Sequence, residues 1–306
     1  MADKRVDSEI VTQFLLNTCL LYPEPSLHAV QAAEHCAYIA TRHPDNDVKE
    51  ELIPLITGSV AEFYIEPMLS CVGDIDVMHY RSSILAIPRG HPPPTQIPAE
   101  FNDYVDVYEI IDSHLPGYVY IQLRYFLTYC PEDEKYNYFE ETAESDQECV
   151  CTDVGCREGT VHGPANLLIF SGPLLSVDVV PCLRCLSWPP QAADWPTRHR
   201  NYDWPDSATV NRVVNNGCDV VSVAHRLCRQ HKWMSKRQWR LSFSRAEIVL
   251  INSWMPVQQI VYHVLRVFMK TKQFTESANN TEAKILSNYH IKTLMLWGSE
   301  MKPRSW

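Results

Sequence analysis

The sequence of 306 residues lacks the long apolar run of a membrane-spanning helix, since no stretch reaches about 18 apolar residues in succession. Its first residues, Met1 to Glu9, are polar and lack the apolar core of a secretory signal peptide. We therefore expect a cytoplasmic protein, with nuclear access left open, and no membrane partner.

An excess of positive charge is also missing. The 27 Lys and Arg residues are outnumbered by 37 Asp and Glu residues, which gives a net charge of −10. Such a molecule as a whole repels nucleic acid, because the phosphate backbone is itself negative. Any contact with nucleic acid therefore requires a local basic surface.

An even number of cysteines is also lacking. The chain has 11, so they cannot all pair in disulfides within it. For a chain expected inside the cell, this favours buried thiols over disulfides. Cys130, Cys149, Cys151 and Cys156, together with His162, are the candidates for a zinc site. Their spacing is irregular, so ordinary thiols are the favoured interpretation and zinc is not expected, although metal binding by this loop stays open.

Apolar periodicity predicts a strand-rich region followed by helices, with no internal repeat. Strands are predicted at Val72–Tyr80, Ser83–Ile87, Val119–Tyr129, Asn166–Phe170 and Leu174–Leu183. Helices are predicted at Ser244–Asn252, Pro256–Lys270 and Ala283–Trp297. The acidic segment Pro131–Glu148 is predicted to be a solvated, mobile loop. The fold class predicted from this order is α+β.

Two aspartates stand two residues apart in the first of these strands. Side chains at i and i+2 of a strand share a face, so Asp74 and Asp76 place both carboxylates on one side. Like charges this close repel each other unless a cation lies between them, and oxygen ligands suit Mg²⁺ or Mn²⁺. A pair of aspartates in a solvated turn is the alternative.

A third acid, Asp178, lies inside the apolar segment LLSVDVVPCL at residues 174–183. A carboxylate in such a strand needs a partner, which is either a metal ion or a basic residue in a core salt bridge. Upstream, Gly58-Ser59 would let backbone N–H groups approach phosphate oxygens, because glycine has no Cβ. Three acids on adjacent strands with this Gly-Ser form the layout of two-metal phosphoryl transfer.

Several separated motifs resemble one family. Residues 238–247 read QWRLSFSRAE and residues 287–293 read SNYHIKT, and both resemble segments of cyclic GMP-AMP synthase and the Mab-twenty-one family. Gly163-Pro164-Ala165, Val177-Asp178 and Ser187-Trp188-Pro189 follow the order of the same group. The Gly-Ser and D-x-D elements resemble the wider polymerase-β-like nucleotidyltransferases. The resemblance covers about residues 58–297, and several motifs in the right order are specific.

The resemblance implies a bilobal nucleotidyltransferase fold, with a mixed-sheet catalytic core in residues 1–234 and a helical C-terminal lobe in residues 235–306. The family continues with further helices beyond the position that matches Trp306, so we expect this lobe to be incomplete. The family's zinc module has no counterpart after residue 252, where Trp254-Met255-Pro256 stands. Recognition of long double-stranded DNA through such a module is therefore not expected.

The resemblance also implies roles for single residues. Asp74, Asp76 and Asp178 would bind two Mg²⁺ or Mn²⁺ ions, and Gly58 and Ser59 would contact the triphosphate. The further nucleotide-binding residues that it implies are Arg240 for the acceptor nucleotide, Arg266 near the phosphates, and Asn288 and Tyr289 at a nucleobase. The alternatives are that Trp239, Leu241 and Phe243 mark an ordinary core strand and that Tyr289 only packs its helix.

Basic residues gather between Val220 and Ala246, where seven Lys or Arg residues occur without an acid. A solvated face is the usual explanation of such a run. In a nucleotide-handling protein, the stretch 226–245 could instead bind an activating double-stranded RNA through its phosphates.

The function expected from the sequence is a ligand-activated, metal-dependent nucleotidyltransferase. It would join ATP and GTP into a cyclic dinucleotide or a short oligonucleotide in innate immune sensing. The alternatives are a catalytically silent Mab-type protein that binds a nucleotide or a partner, and a terminal transferase that extends an RNA primer. The activating ligand, the product linkage, the bases and the oligomeric state are left open.

Overall fold

The computed structural model describes residues 20–22, 52–62, 64–66, 75–141, 161–162, 165–169, 176–223, 225, 238–271 and 287–303. Its strands are β1 (Leu20–Tyr22), β2 (Leu52–Thr57), β3 (Tyr64–Glu66), β4 (Ile75–Arg81), β5 (Ile84–Pro88), β6 (Tyr104–Asp112), β7 (Tyr118–Cys130), β8 (Lys135–Glu140), β9 (Val161–His162), β10 (Ala165–Ile169), β11 (Ser176–Cys185), β12 (Cys218–Val221) and β13 (Gln238–Ser242). Its α-helices are α1 (Gly58–Glu62), α2 (Ser207–Asn215), α3 (Ser244–Asn252), α4 (Pro256–Thr271) and α5 (Asn288–Met301).

Most strands join one mixed sheet. Its main order is β12-β13-β7-β6-β5-β11-β10-β9, and β11 also pairs with β12, which closes a ring of strands. β4 pairs in parallel with the first half of β11, and β2 pairs antiparallel with β4. The α+β class predicted from the sequence is confirmed.

Burial explains the composition of the central strands. β5 lies between the two parallel neighbours β6 and β11, and all five of its residues are buried. A parallel strand covered on both faces has a continuous apolar sequence, as ILAIP has. Leu85 and Ile87 belong to the apolar cluster of one sheet face, and Ile84 and Ala86 to that of the other.

The helices form a further apolar core. Ile251, Trp254, Ile260 and Tyr262 are each at most 3% exposed and pack together. Each fully buried apolar side chain of this size stabilises the fold by roughly 1.5–3 kcal/mol. The core joins the end of α3 to α4.

The two central helix predictions are confirmed, since α3 has the predicted bounds and α4 extends one residue beyond them. α5 begins later than predicted, at Asn288, where the backbone N–H of Ser287 donates to Nδ1 of His290 at 2.9 Å and caps the helix. The predicted loop at Pro131–Glu148 is wrong at β8, which pairs with β7 along its whole length. None of the helices in the described ranges has both the length and the apolarity needed to cross a membrane.

Candidate functional site

Two of the three predicted acids lie side by side. In the parallel pair β4–β11, Asp178 is the register partner of Asp76. Register partners on neighbouring strands are about 5 Å apart and point to the same face. Both side chains are partly exposed, in contrast to their neighbours Val77 and Val179, which are buried. The third predicted acid, Asp74, lies outside the described residues.

Gly58 contacts the same carboxylate. β2 ends with Thr57 opposite Asp76, and the Thr57 hydroxyl donates to the Asp76 backbone carbonyl at 3.3 Å. Gly58 then has a φ of +64°, and a Cβ at this position would lie 1.9 Å from Oδ2 of Asp76. Only glycine fits, because both the backbone conformation and the space exclude a side chain. Ser59 follows in α1, and its side chain is outside the described part.

The chemistry of this donor set suits a divalent cation. Two like-charged carboxylates in register repel each other, and a cation between them removes the repulsion. Carboxylate oxygens are the ligands that Mg²⁺ and Mn²⁺ prefer. Within the described ranges, which leave out Asp74, there is no group of three or more His, Cys, Asp or Glu residues that could hold a metal ion.

Arg266 lies on α4 and is 7% exposed. Its Nη1 is 3.9 Å from Oε2 of Glu62, the last residue of α1. Neither its Nη1 nor its Nε has a hydrogen-bond partner among the described residues. A buried guanidinium with unused donors can accept an anion, because unsatisfied buried N–H groups are costly.

Tyr289 and Asn288 begin α5. Tyr289 is 62% exposed among the described residues, and its role at a nucleobase stays a prediction. The Oδ1 of Asn288 is buried without a hydrogen-bond partner in the same part of the chain. An exposed aromatic ring can stack on a nucleobase, and an amide oxygen without a hydrogen-bond partner can accept a hydrogen bond from the edge of that base.

Glu62 is the centre of an ion cluster that the sequence reasoning missed. Lys292 donates to Glu62 and also to Oε2 of Glu247 at 2.9 Å. The Tyr262 hydroxyl donates to Glu62 at 3.0 Å. Glu62 is 1% exposed. No local signal in the sequence indicates this cluster, because Glu62 and Lys292 are 230 positions apart.

Arg240 is exposed on β13. Ser242, on the same face of that strand, contacts Met78 through its Oγ, 3.9 Å from the methionine Sδ. Met78 in turn shares its face of β4 with Asp76, because the two are two residues apart. Trp239 and Leu241 are buried on the opposite face. The strand therefore has a core face, as the alternative interpretation held, and a second face that carries Arg240.

One member of the basic stretch is not a surface cation. Arg245 donates through Nε to Oδ2 of Asp219 at 2.9 Å, and Asp219 is fully buried. Burial raises the pKa of Asp219, while Arg245 and Arg184 lower it in part. Arg245 is thus already neutralised by Asp219. Most of the stretch lies outside the described residues: Arg226, Arg229, Lys232, Lys236 and Arg237.

The described cysteines are free thiols, which confirms the preference for thiols there. Cys182, Cys185 and Cys218 are buried and Cys130 is partly exposed. Cys149, Cys151 and Cys156 lie outside the described residues, so the interpretation of that loop stays a prediction.

Part of the chain is similar in sequence to known proteins. Residues 150–253 match the family model of the Mab-21 protein nucleotidyltransferase domain, a range that contains Asp178 and Arg240. Over these residues the chain is similar to a Mab-21 nucleotidyltransferase domain. A relative, the "Protein mab-21-like" of Aedes aegypti, is 27% identical over 130 residues, which is 42% of this chain and 33% of that protein. The match to this curated relative thus spans about a third of its length.

Proposed function

We propose that this Mab-21 domain is a metal-dependent nucleotidyltransferase that joins ATP and GTP into a cyclic dinucleotide or a short oligonucleotide. The observation that carries the proposal is the register of Asp76 with Asp178 beside Gly58. Two like-charged acids aligned on neighbouring strands repel each other, and this supports a role in binding a cation rather than a purely structural one.

Asp76 and Asp178, together with Asp74, are the proposed ligands of two Mg²⁺ or Mn²⁺ ions. When bound, such ions supply a more acidic attacking hydroxyl and neutralise charge on the triphosphate. The missing side chain at Gly58 lets Oδ2 of Asp76 lie against the backbone where the proposed ligands of the triphosphate, Gly58 and Ser59, begin. Asp76 and Asp178 would therefore bind the ions directly beside the start of α1.

Residues of the helices and β13 complete the proposed nucleotide site. Arg266 offers unused N–H donors to phosphate oxygens, and Tyr289 offers an exposed ring to a base, with Asn288 beside it. Arg240, exposed on β13, is proposed to contact the acceptor nucleotide.

Ligand activation is part of the same proposal. Double-stranded RNA would bind by its phosphates to the cations of the stretch 226–245 that are not engaged elsewhere. Arg245 takes no part, since it is paired with Asp219. A role in innate immune sensing would follow from such activation.

The test is incubation with labelled ATP and GTP, Mg²⁺ or Mn²⁺, with and without double-stranded RNA. A cyclic or short oligonucleotide product, lost in Asp178→Asn and kept in Asp133→Asn, supports the proposal. Asp133 is a suitable control because it lies in an exposed turn away from β4 and β11. Nucleotide binding without any product supports a silent Mab-type protein, and extension of an added RNA primer supports a terminal transferase.

A further inference from the structure

The short helix α1 is held at both of its ends. At its start, Gly58 lies against the carboxylate of Asp76. At its end, Glu62 is buried and receives hydrogen bonds from Lys292 and Tyr262. A single turn of helix therefore connects the aspartate pair to the helices α4 and α5.

The cluster around Glu62 is balanced in charge. Glu62 and Glu247 are its acids, and Lys292 and Arg266 are its bases. Burial alone would lower the pKa of Lys292, but Glu62 and Glu247 outweigh burial and raise it. Removal of either Glu62 or Lys292 would leave the other as a buried charge without its partner, which is strongly destabilising. α1 cannot shift without that cost.

The same ion pair reaches the proposed nucleobase site. Lys292 follows Tyr289 by three residues in α5, so the two lie on adjacent parts of one helix face. The first turns of α5 and the end of α1 are thus fixed relative to each other through Lys292 and Glu62. Sequence order hides this link, because the two residues are 230 positions apart.

We infer that Glu62 is a positioning residue, which through Lys292 and Tyr262 fixes Gly58 and Ser59 beside Asp76. Its effect on nucleotide binding rests on the proposed function, whereas its effect on the position of α1 does not. Glu62 touches no reacting atom in this account. It acts by keeping the backbone of the proposed phosphate-binding segment in place.

The experiment measures amide hydrogen exchange of residues 52–62 and the affinity for Mn²⁺·ATP in the full chain. The variants are Glu62→Gln, which removes the charge, and Tyr262→Phe, which removes only one hydroxyl and keeps the fold. Asp219→Asn is the matched control, since it also breaks a buried ion pair but not one that α1 makes. Lys292→Arg keeps the charge and serves as the conservative variant.

We expect Glu62→Gln to accelerate exchange in residues 52–62 and to weaken Mn²⁺·ATP binding, each by about tenfold or more. Tyr262→Phe should show the same pattern to a smaller extent, and Lys292→Arg should stay near the wild type. The control should leave exchange in residues 52–62 unchanged relative to the rest of the chain. If Glu62→Gln does not fold, Tyr262→Phe decides.

Wild-type exchange in residues 52–62 of both Glu62→Gln and Tyr262→Phe would overturn the inference. Faster exchange of residues 52–62 in Asp219→Asn, beyond the acceleration of the rest of the chain, would also overturn it, because the effect would then not be specific to the contacts of Glu62. If the wild-type protein binds no Mn²⁺·ATP, the proposed function fails. The exchange measurement alone then tests whether Glu62 fixes α1.

Discussion

Two register pairs of charged residues on the sheet differ in their charges. Asp219 faces Arg184, which has the opposite charge, and Asp76 faces Asp178, which has the same charge. In one, Asp219 on β12 is fully buried and is neutralised by Arg245, with Arg184 as its register partner on β11. In the other, Asp76 on β4 and Asp178 on β11 are register partners of the same charge. The carboxylate of Asp219 is thus balanced by opposite charge within the chain. Two carboxylates in register would in addition be stabilised by a bound cation, which distinguishes a structural acid from a candidate site.

The largest effect is expected from Asp178→Asn. Product formation should fall by at least about 1,000-fold, which corresponds to roughly 4 kcal/mol of transition-state stabilisation. The free energy of unfolding should fall by much less than in Asp219→Asn, because Asp178 is partly exposed and the substitution also removes repulsion between like charges. Product analysis and denaturant unfolding check the two parts, and a substantial loss of stability would make Asp178 a structural acid like Asp219.

Asp219→Asn should give the opposite pattern. It leaves Arg245 and Arg184 without their carboxylate, and we expect the free energy of unfolding to fall by about 3–5 kcal/mol. Metal affinity should stay unchanged in the protein that remains folded. Denaturant unfolding together with Mn²⁺ titration checks this, and a specific loss of Mn²⁺ binding would contradict the distinction between the two pairs.

Gly58→Ala tests how closely the backbone of Gly58 approaches the carboxylate of Asp76. The added Cβ would displace Asp76 and sit at a positive φ, so we expect a cost of about 3 kcal/mol in unfolding free energy. Gly90→Ala is the matched control, since Gly90 has a φ of +75° and no atom within 4 Å of the added Cβ. It should cost about 1–2 kcal/mol, from backbone strain alone. Equal losses in thermal or denaturant unfolding would contradict a close approach of Gly58 to Asp76.

The smallest effect comes from the other face of β4, where His79 is buried. Burial, with a contribution from Arg81, lowers its pKa from 6.5 to about 4. Below pH 6.5 the unfolded state therefore binds a proton that the folded state does not, so stability falls as the pH falls towards 4. Between pH 7 and about pH 4.5 we expect a loss of about 2 kcal/mol from this group.

His79→Gln should remove that part of the pH dependence. Its unfolding free energy should decline less than that of the wild type between the same two pH values. Denaturant unfolding at each pH measures the difference. Identical pH slopes would show that His79 is protonated as easily in the folded protein as in the unfolded chain.

Local patterns were enough to predict part of this molecule. α3 and α4 follow from apolar spacing and from Pro256 in the first turn, and β11 follows from a β-branched run. The neighbouring positions of Asp76 and Asp178 were expected from two acids in strongly apolar strands. The helices and β11 depend on residues close together in the chain, whereas the register of Asp76 with Asp178 joins residues 102 positions apart.

Long-range contacts could not be predicted in the same way. The pair Glu62–Lys292 joins residues 230 positions apart, and nothing in local periodicity indicates it. Arg245 was assigned to a basic surface because its partner Asp219 lies 26 positions earlier, just outside the basic stretch. β8 was missed because its acidic surroundings resemble a loop, whereas its pairing with β7 makes it a strand.

Titration of Mn²⁺ in the presence of ATP, followed by electron paramagnetic resonance in wild type and Asp178→Asn, decides whether Asp76 and Asp178 bind a metal ion. The account predicts Mn²⁺ binding in the wild type and an affinity at least about tenfold weaker in the variant, because the acid opposite Asp76 is lost. Equal Mn²⁺ affinity in the two proteins would contradict a metal site between β4 and β11.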